Sequence, residues 1–138
     1  MTNDATGLHR FATTAERCYR TGDLTRAEKL FAELEATDPH DSRTPAFLAR
    51  IRTWRGTLPS AAAAGEALKV FREAVKLDPN FALGFQFIGE ALKIRGELRE
   101  AERAFRAALQ IDPSLIDSAR EVRLFEMRNR GTKHPTRR

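Results

Sequence analysis

Hydrophobic positions in residues 82–115 recur with the spacing of amphipathic helices. Phe85, Ile88 and Leu92 are separated by three and then four residues, which places them on one face of a helix. Gly96 interrupts this pattern and permits a tight turn, since glycine adopts backbone angles that other residues avoid. The pattern predicts a helix, a sharp turn and a second helix.

The second helix carries small and large side chains on one face. Ala101, Phe105 and Ala108 recur at helical spacing. Pro113 ends the helix, because the residue before a proline avoids helical backbone angles. Small residues let two helix backbones approach closely, and large residues fill the space that remains. We therefore expect the two helices to pack as a tight hairpin.

The same glycine and proline punctuation recurs along the chain. Each proline follows an aspartate, and the alternating positions are Gly22, Pro39, Gly56, Pro79, Gly96 and Pro113. Successive positions are 17 residues apart, except that Gly56 and Pro79 are 23 residues apart. The spacing predicts three helical hairpins, of which the middle one has six extra residues. Their predicted bounds are 8–41, 42–81 and 82–115.

Residues 82–115 resemble a tetratricopeptide repeat (TPR), a helical hairpin with a 34-residue signature. The matching positions are Phe85, Ile88, Gly89, Leu92, Ala101, Phe105, Ala108 and Pro113. Phe85 replaces the signature Trp and Leu92 replaces the signature Tyr, and both keep the bulk of the position. The resemblance implies an all-α solenoid of three helix-turn-helix repeats, stacked as a TPR-like superhelix.

The segments outside the three predicted hairpins also allow predictions. Residues 1–7 are polar, and we expect a flexible N-terminus. Residues 115–130 have an apolar arc, which predicts a capping helix with a polar outer side. Leu124 lies roughly opposite that arc. We expect residues 131–138 to form a disordered basic tail, outside the single domain of residues 8–130.

The six extra residues of the middle repeat lie within residues 57–65. Ser60 precedes four alanines, which predicts a helix with Ser60 as its N-cap. We expect this helix to extend beyond its neighbours by more than one turn. Gly65 interrupts the extension. A harmless length variant and a docking surface at this edge are both open interpretations.

The distribution of charge along the chain argues against nucleic-acid binding by the domain as a whole. The chain carries 24 basic and 19 acidic residues. Five basic residues and no acidic residue lie within residues 128–138, so the remainder of the chain is formally neutral. Excess positive charge is therefore concentrated at the C-terminal end.

Few features indicate catalysis or metal binding. His9, His40 and His134 do not share metal-ligand spacing, and Cys18 is the only cysteine. Glycine-rich phosphate loops and nucleophile-elbow motifs are absent from the sequence. We expect a non-enzymatic protein without a metal or cofactor. A single cysteine favours the cytoplasm, the N-terminus lacks signal-peptide character, and the alanine- and arginine-rich composition is compatible with a bacterial source.

The family resemblance implies a concave groove lined by the first helix of each repeat, and a partner protein's peptide or helix as its ligand. Carried over position by position, the groove residues are His9, Ala12, Glu16, Tyr19, Arg20, Arg43, Ala46, Arg50, Thr53, Trp54, Leu83, Gln86, Glu90, Lys93 and Ile94. Aromatic and arginine side chains are enriched at binding hot spots. Whether Trp54 faces the groove or packs against the insert is open.

Some TPR proteins clamp the C-terminal carboxylate of heat-shock chaperones with lysine, arginine and asparagine. The corresponding positions here are Ala12, Glu16, Phe47, Leu83 and Phe87, and none of them matches. A chaperone-tail clamp is therefore not expected. Phe47 and Phe87 instead indicate a more apolar groove, suited to an amphipathic helix or an extended apolar-acidic peptide.

Two alternatives to groove binding are open. The basic tail could bind nucleic acid or an acidic surface through contacts that weaken with salt, although nucleic acid is not the favoured partner. Self-association through the groove or the Leu124 side would instead produce a homo-oligomeric scaffold. No apolar run approaches the roughly 18 residues that a membrane span needs.

Overall fold

The computed structural model describes residues 3–133, which contain seven α-helices and no β-strand. The helices are α1 (Asn3–Arg20), α2 (Leu24–Thr37), α3 (Thr44–Thr53), α4 (Ala61–Leu77), α5 (Ala82–Ile94), α6 (Leu98–Ile111) and α7 (Ile116–Lys133). The predicted all-α architecture is confirmed.

Each helix packs against the next one in the chain, from α1 to α7. The hairpins α1–α2, α3–α4 and α5–α6 therefore stack in sequence order, and α7 covers the last of them. Gly22, Gly56 and Gly96 lie at the turns within the hairpins with φ of +90°, +81° and +82°. Side chains rarely adopt this left-handed conformation, so glycine allows the sharp reversal that the sequence predicts.

Alternating large and small residues fill the space between the helices. Phe31, Phe71 and Phe105 are fully buried, one in the second helix of each hairpin. Gly89 lies directly against Phe105: a Cβ atom at Gly89 would lie 2.8 Å from two atoms of the phenyl ring. The small residue at position 89 therefore sets how closely α5 and α6 approach.

We expect Gly89→Ala to lower the free energy of unfolding by about 1–3 kcal/mol, because the added methyl group overpacks a filled site. This loss should exceed the gain of up to about 1 kcal/mol that alanine brings to a helix. Gly7→Ala is the matched control, since nothing lies within 4 Å of a Cβ at Gly7 in α1. Urea denaturation should show the control unchanged or more stable. Equal stability of the two variants would contradict the packing argument.

The two ends of the domain differ from the sequence expectation. Helix α1 begins at Asn3, so residues 3–7 are helical, and the flexibility expected of residues 1–7 stays a prediction. Helix α7 continues to Lys133 and includes the first three residues of the expected tail. Residues 134–138 lie outside the described range, and the prediction for that part of the tail stays untested.

The insert lengthens both a loop and a helix. Ser60 caps α4 as predicted, because its side chain accepts a hydrogen bond from the Ala63 backbone N–H at 3.1 Å. Helix α4 has 17 residues, against 14 in both α2 and α6. Helix α4 is thus longer by slightly less than one turn, whereas we expected more than one turn. The rest of the insert forms the loop that precedes the helix. Gly65 makes room for Arg95, whose Nη1 would lie 2.7 Å from a Cβ at Gly65.

Helix α7 has a packed face and a polar outer face. Leu115, just before the helix, and Val122 and Phe125 within it are buried. Arg123 and Glu126 are exposed, and they follow Gly89 and Leu92 of the preceding repeat by 34 residues. Charged residues thus replace the glycine and leucine that pack α5 against α6. This arrangement fits a helix that ends a stack of hairpins.

Candidate functional site

Aromatic rings from three hairpins meet at the centre of the concave side. Tyr19 on α1 contacts Phe47 on α3, with ring centroids 5.3 Å apart, and Phe87 on α5, at 5.6 Å. Phe47 and Phe87 also contact each other at 5.6 Å. All three pairs have the edge-to-face geometry that aromatic rings favour. The first helices of the three hairpins are therefore joined by one aromatic cluster.

This cluster corrects part of the predicted groove surface. Five of the predicted residues are buried, namely Ala46, Phe47, Leu83, Gln86 and Phe87. Rings from α1 and α5 meet across α3, so these positions form the buried base of the groove, and Leu83 and Gln86 border the open cavity described below. The apolar character that Phe47 and Phe87 indicated therefore belongs to the core.

Ion pairs connect the first helices above this base. Arg43, the N-cap residue of α3, lies 3.6 Å from Glu16 on α1, and Arg50 on α3 lies 2.7 Å from Glu90 on α5. Lys93 on α5 bridges to Glu121 on α7 at 2.9 Å. Each pair joins one first helix to the next, so α1, α3, α5 and α7 are connected in order by a ladder of ion pairs.

Burial shapes the ionisation of the groove residues. Desolvation raises the pKa of the Glu90 carboxyl, although the neighbouring Arg50 acts in the opposite direction. Desolvation likewise raises the pKa of Glu16 against the effect of Arg43. The pKa of the Tyr19 phenol rises to about 12 because of burial, so the hydroxyl keeps its proton at neutral pH.

Trp54, the C-cap residue of α3, packs between α4 and Arg50. Its ring contacts Phe71 on α4 with centroids 6.0 Å apart. The guanidinium carbon of Arg50 lies 4.5 Å from the centroid of the indole ring. Trp54 is therefore held between α4 and Arg50, and it lines a small cavity of about 340 Å³ beside Leu24.

Helix α7 contributes to the groove, which the sequence analysis missed. Ser118 is fully buried and donates a hydrogen bond to the Gln86 side-chain oxygen at 2.7 Å. Asp117 follows Leu83 by 34 residues, so an extension of the repeat register would have placed it in the groove.

An open cavity of about 440 Å³ lies where the end of α1 faces the start of α7. Its lining combines apolar, aromatic and charged residues, namely Tyr19, Arg20, Leu24, Arg50, Ile51, Leu83, Gln86, Ser114, Ile116 and Asp117. Two of the apolar side chains are open to water: Leu24 is 43% exposed and Ile116 is 75% exposed. We call this cavity the groove mouth.

A second, more polar cavity of about 540 Å³ adjoins the groove mouth through Arg20, which lines both. Its lining is His9, Ala12, Thr13, Glu16, Arg17, Arg20, Asp41 and Arg43. We call it the α1 cleft. Lys93 and Ile94 line neither cavity. Thr53, Trp54 and Glu90 also line neither cavity, so the structure divides most of the predicted groove between a buried base and two open spaces that share Arg20.

Residues 3–133 contain neither a metal-binding cluster nor a helix that could span a membrane. They contain no group of three His, Cys, Asp or Glu side chains placed to hold a metal ion. In the same range, no helix combines the length and apolar character needed to cross a bilayer. Cys18 is buried in the packed face of α1.

The stacked hairpins and the glycine turns define a TPR-like helical solenoid. A family model described as tetratricopeptide repeat matches residues 84–115. The chain therefore carries a tetratricopeptide repeat over the third hairpin, and its overall fold is that of TPR domains. Comparison with curated proteins found no significant sequence match.

Solved structures share this fold at low sequence identity. A Thermobaculum terrenum O-GlcNAc transferase mutant is 22% identical with a TM-score of 0.65; the alignment covers 88% of this chain but only 22% of the transferase. The first TPR domain of human RPAP3 is 16% identical, with 87% and 90% coverage and a TM-score of 0.60. The Yersinia enterocolitica chaperone SycD, in complex with a peptide of the translocator YopD, is 20% identical, with 90% and 95% coverage and a TM-score of 0.57.

Proposed function

We propose that this chain is a non-enzymatic adaptor that binds a peptide or helix of a partner protein in its concave groove. The observation that carries the proposal is the groove mouth, an open cavity of about 440 Å³ that is lined by apolar and charged side chains from five helices, namely α1, α2, α3, α5 and α7. Ligand sites commonly combine an apolar lining with a few polar groups that fix orientation.

Structures of similar fold support a polypeptide ligand. SycD is described in complex with a peptide of YopD, and the first TPR domain of Spaghetti (RPAP3) is described as bound to an HSP90 peptide. The HSP90 peptide itself is not the ligand we propose here. Ala12, Leu83 and Phe87 lack the polar groups with which the chaperone-binding TPR proteins hold a terminal carboxylate.

The ionised groups of the groove support a binding role over a catalytic one. Arg43, Arg50 and Lys93 are each engaged by a carboxylate of a neighbouring helix. These contacts hold the groove in one shape before a ligand binds, as expected of a preorganised binding surface. We place the protein in the cytoplasm, where its one thiol would stay reduced.

Selection from a displayed library of random peptides tests this proposal. Peptides that bind the wild type should lose about tenfold or more in affinity for Ile116→Asp, since a carboxylate replaces an apolar contact that contributes about 1.5–3 kcal/mol. Leu77→Asp is the matched control, because Leu77 is 62% exposed on α4, away from both cavities. Fluorescence anisotropy measures the affinities. Binding that responds equally to both substitutions, or to neither, would contradict groove recognition.

A further inference from the structure

The ion pairs that connect the first helices leave out two arginines of α1. Glu16, Glu90 and Glu121 each pair with a basic side chain of an adjacent helix. In contrast, no acidic side chain of the described residues lies within ion-pair distance of Arg17 or Arg20. Both arginines are exposed. Two guanidinium groups are thus available to an external carboxylate.

The position of these arginines matters as much as their charge. Arg17 lines the α1 cleft, and Arg20 lies where the α1 cleft joins the groove mouth. The acidic groups of the cleft are already engaged: Glu16 pairs with Arg43, and Asp41 accepts hydrogen bonds from the backbone and hydroxyl of Thr44. Burial raises the pKa of Glu16 and the charge of Arg20 acts to lower it, but neither Glu16 nor Asp41 forms an ion pair with Arg17 or Arg20.

The groove mouth supplies an apolar contact beside this charge. Leu24 at the start of α2 and Ile116 at the start of α7 line the same cavity, and both are exposed. Leu83 and Ile51 form the buried surface behind them. An apolar side chain that enters from a partner would cover both exposed residues at once, and burial of that surface is favourable.

Tyr19 adds a polar group at the same place. Its hydroxyl makes no hydrogen bond within the described residues. Every fully buried side-chain nitrogen or oxygen in that range does have a hydrogen-bond partner, so the Tyr19 hydroxyl is not fully buried. The hydroxyl is therefore reachable from solvent in the groove mouth. Tyrosine in such a position offers an apolar ring and a free donor together.

We propose that the groove selects a segment in which acidic residues lie next to an apolar residue. The carboxylates pair with Arg17 and Arg20, the apolar side chain enters between Leu24 and Ile116, and the Tyr19 hydroxyl donates to the backbone of the segment. This inference rests on the proposed function and specifies its ligand class. The contacts lie on α1, α2 and α7, so they differ from the clamp positions that are absent here.

Charge reversal tests the inference with the same displayed library. The wild type should enrich peptides with Asp or Glu within about four positions of Leu, Ile or Phe. The double variant Arg17→Glu/Arg20→Glu should bind these peptides at least about tenfold more weakly and should enrich Lys or Arg at the same spacing, since charge complementarity sets partner choice. Both arginines are exposed and form no ion pair with a described residue, so the variant should fold, as circular dichroism can confirm.

The matched control is Arg26→Glu/Lys29→Glu, which reverses two exposed charges three residues apart on α2, outside both cavities. It should keep the wild-type selection. Peptides that bind without an acidic preference, yet weaken with Ile116→Asp, would overturn this inference and leave groove binding intact. Peptides that respond to neither Ile116→Asp nor charge reversal would overturn the groove proposal as well.

Discussion

Replacing Arg50 with methionine should lower the free energy of unfolding by about 3 kcal/mol at neutral pH, because it leaves the Glu90 carboxylate without its partner. The two side chains form an ion pair at 2.7 Å, and each is only 19% exposed. Arg50 also lies over the rings of Trp54 and Phe87, at 4.5 and 5.9 Å from their centroids. Methionine keeps much of the apolar contact, so the loss reports mainly on the ion pair. Urea denaturation followed by circular dichroism measures it.

The pH dependence of this loss has a definite sign. Burial raises the pKa of Glu90 in the folded protein, and Arg50 opposes that rise. Without Arg50 the folded-state pKa should rise further above the unfolded value. The folded variant then binds a proton more tightly than the unfolded chain, so the destabilisation should be largest above that pKa and shrink as the pH falls through it.

A second substitution separates the ion pair from packing. In the Arg50→Met background, Glu90→Gln should recover part of the lost stability, because a neutral amide is less costly to desolvate than a carboxylate. Destabilisation that grows on acidification would contradict this account. So would a double variant whose loss equals the sum of the two single losses.

Phe47→Ala should lower the free energy of unfolding by about 3–5 kcal/mol, because it opens a cavity at the centre of the aromatic cluster. Phe47 is fully buried and stacks on Phe31, with ring centroids 4.5 Å apart. It also contacts Tyr19, Phe81 and Phe87 at 5.3, 5.4 and 5.6 Å. Guanidinium denaturation measures the change.

Leu77→Ala provides the comparison for this variant, since Leu77 is 62% exposed. Exposed substitutions usually change stability by less than about 0.5 kcal/mol. A domain of this size has a total stability on the order of 5–15 kcal/mol, so Phe47→Ala should remove a large share of it. A loss below about 1 kcal/mol would show that the rings repack without a cavity.

Local features of the sequence were sufficient to predict the repeat architecture. Glycine at positions 22, 56 and 96 predicted the turns, because the positive φ that these turns require is a property of single residues. The Ser60 cap was likewise predictable, since its hydrogen bond spans only three residues. These features depend on neighbours in the chain, which a single sequence displays directly.

The candidate site was less predictable because it depends on contacts between distant hairpins. Phe47 and Phe87 occupy groove positions in the repeat register, yet both are buried by rings from other helices. Whether α1 and α5 approach closely enough for this contact depends on the curvature of the whole stack. The same packing places Ile116 and Leu24 in the lining of one cavity, and no local pattern in the sequence encodes this proximity.

The contact between Tyr19 and Phe87 has a consequence for how the protein unfolds. Solenoids are commonly treated as one-dimensional arrays in which each repeat interacts only with its nearest neighbours, so terminal units can fray alone. Here a ring in the first hairpin touches a ring in the third, 5.6 Å away. Detachment of the N-terminal hairpin would therefore also strip a contact from the far end of the stack, which ties the three hairpins into a single cooperative unit.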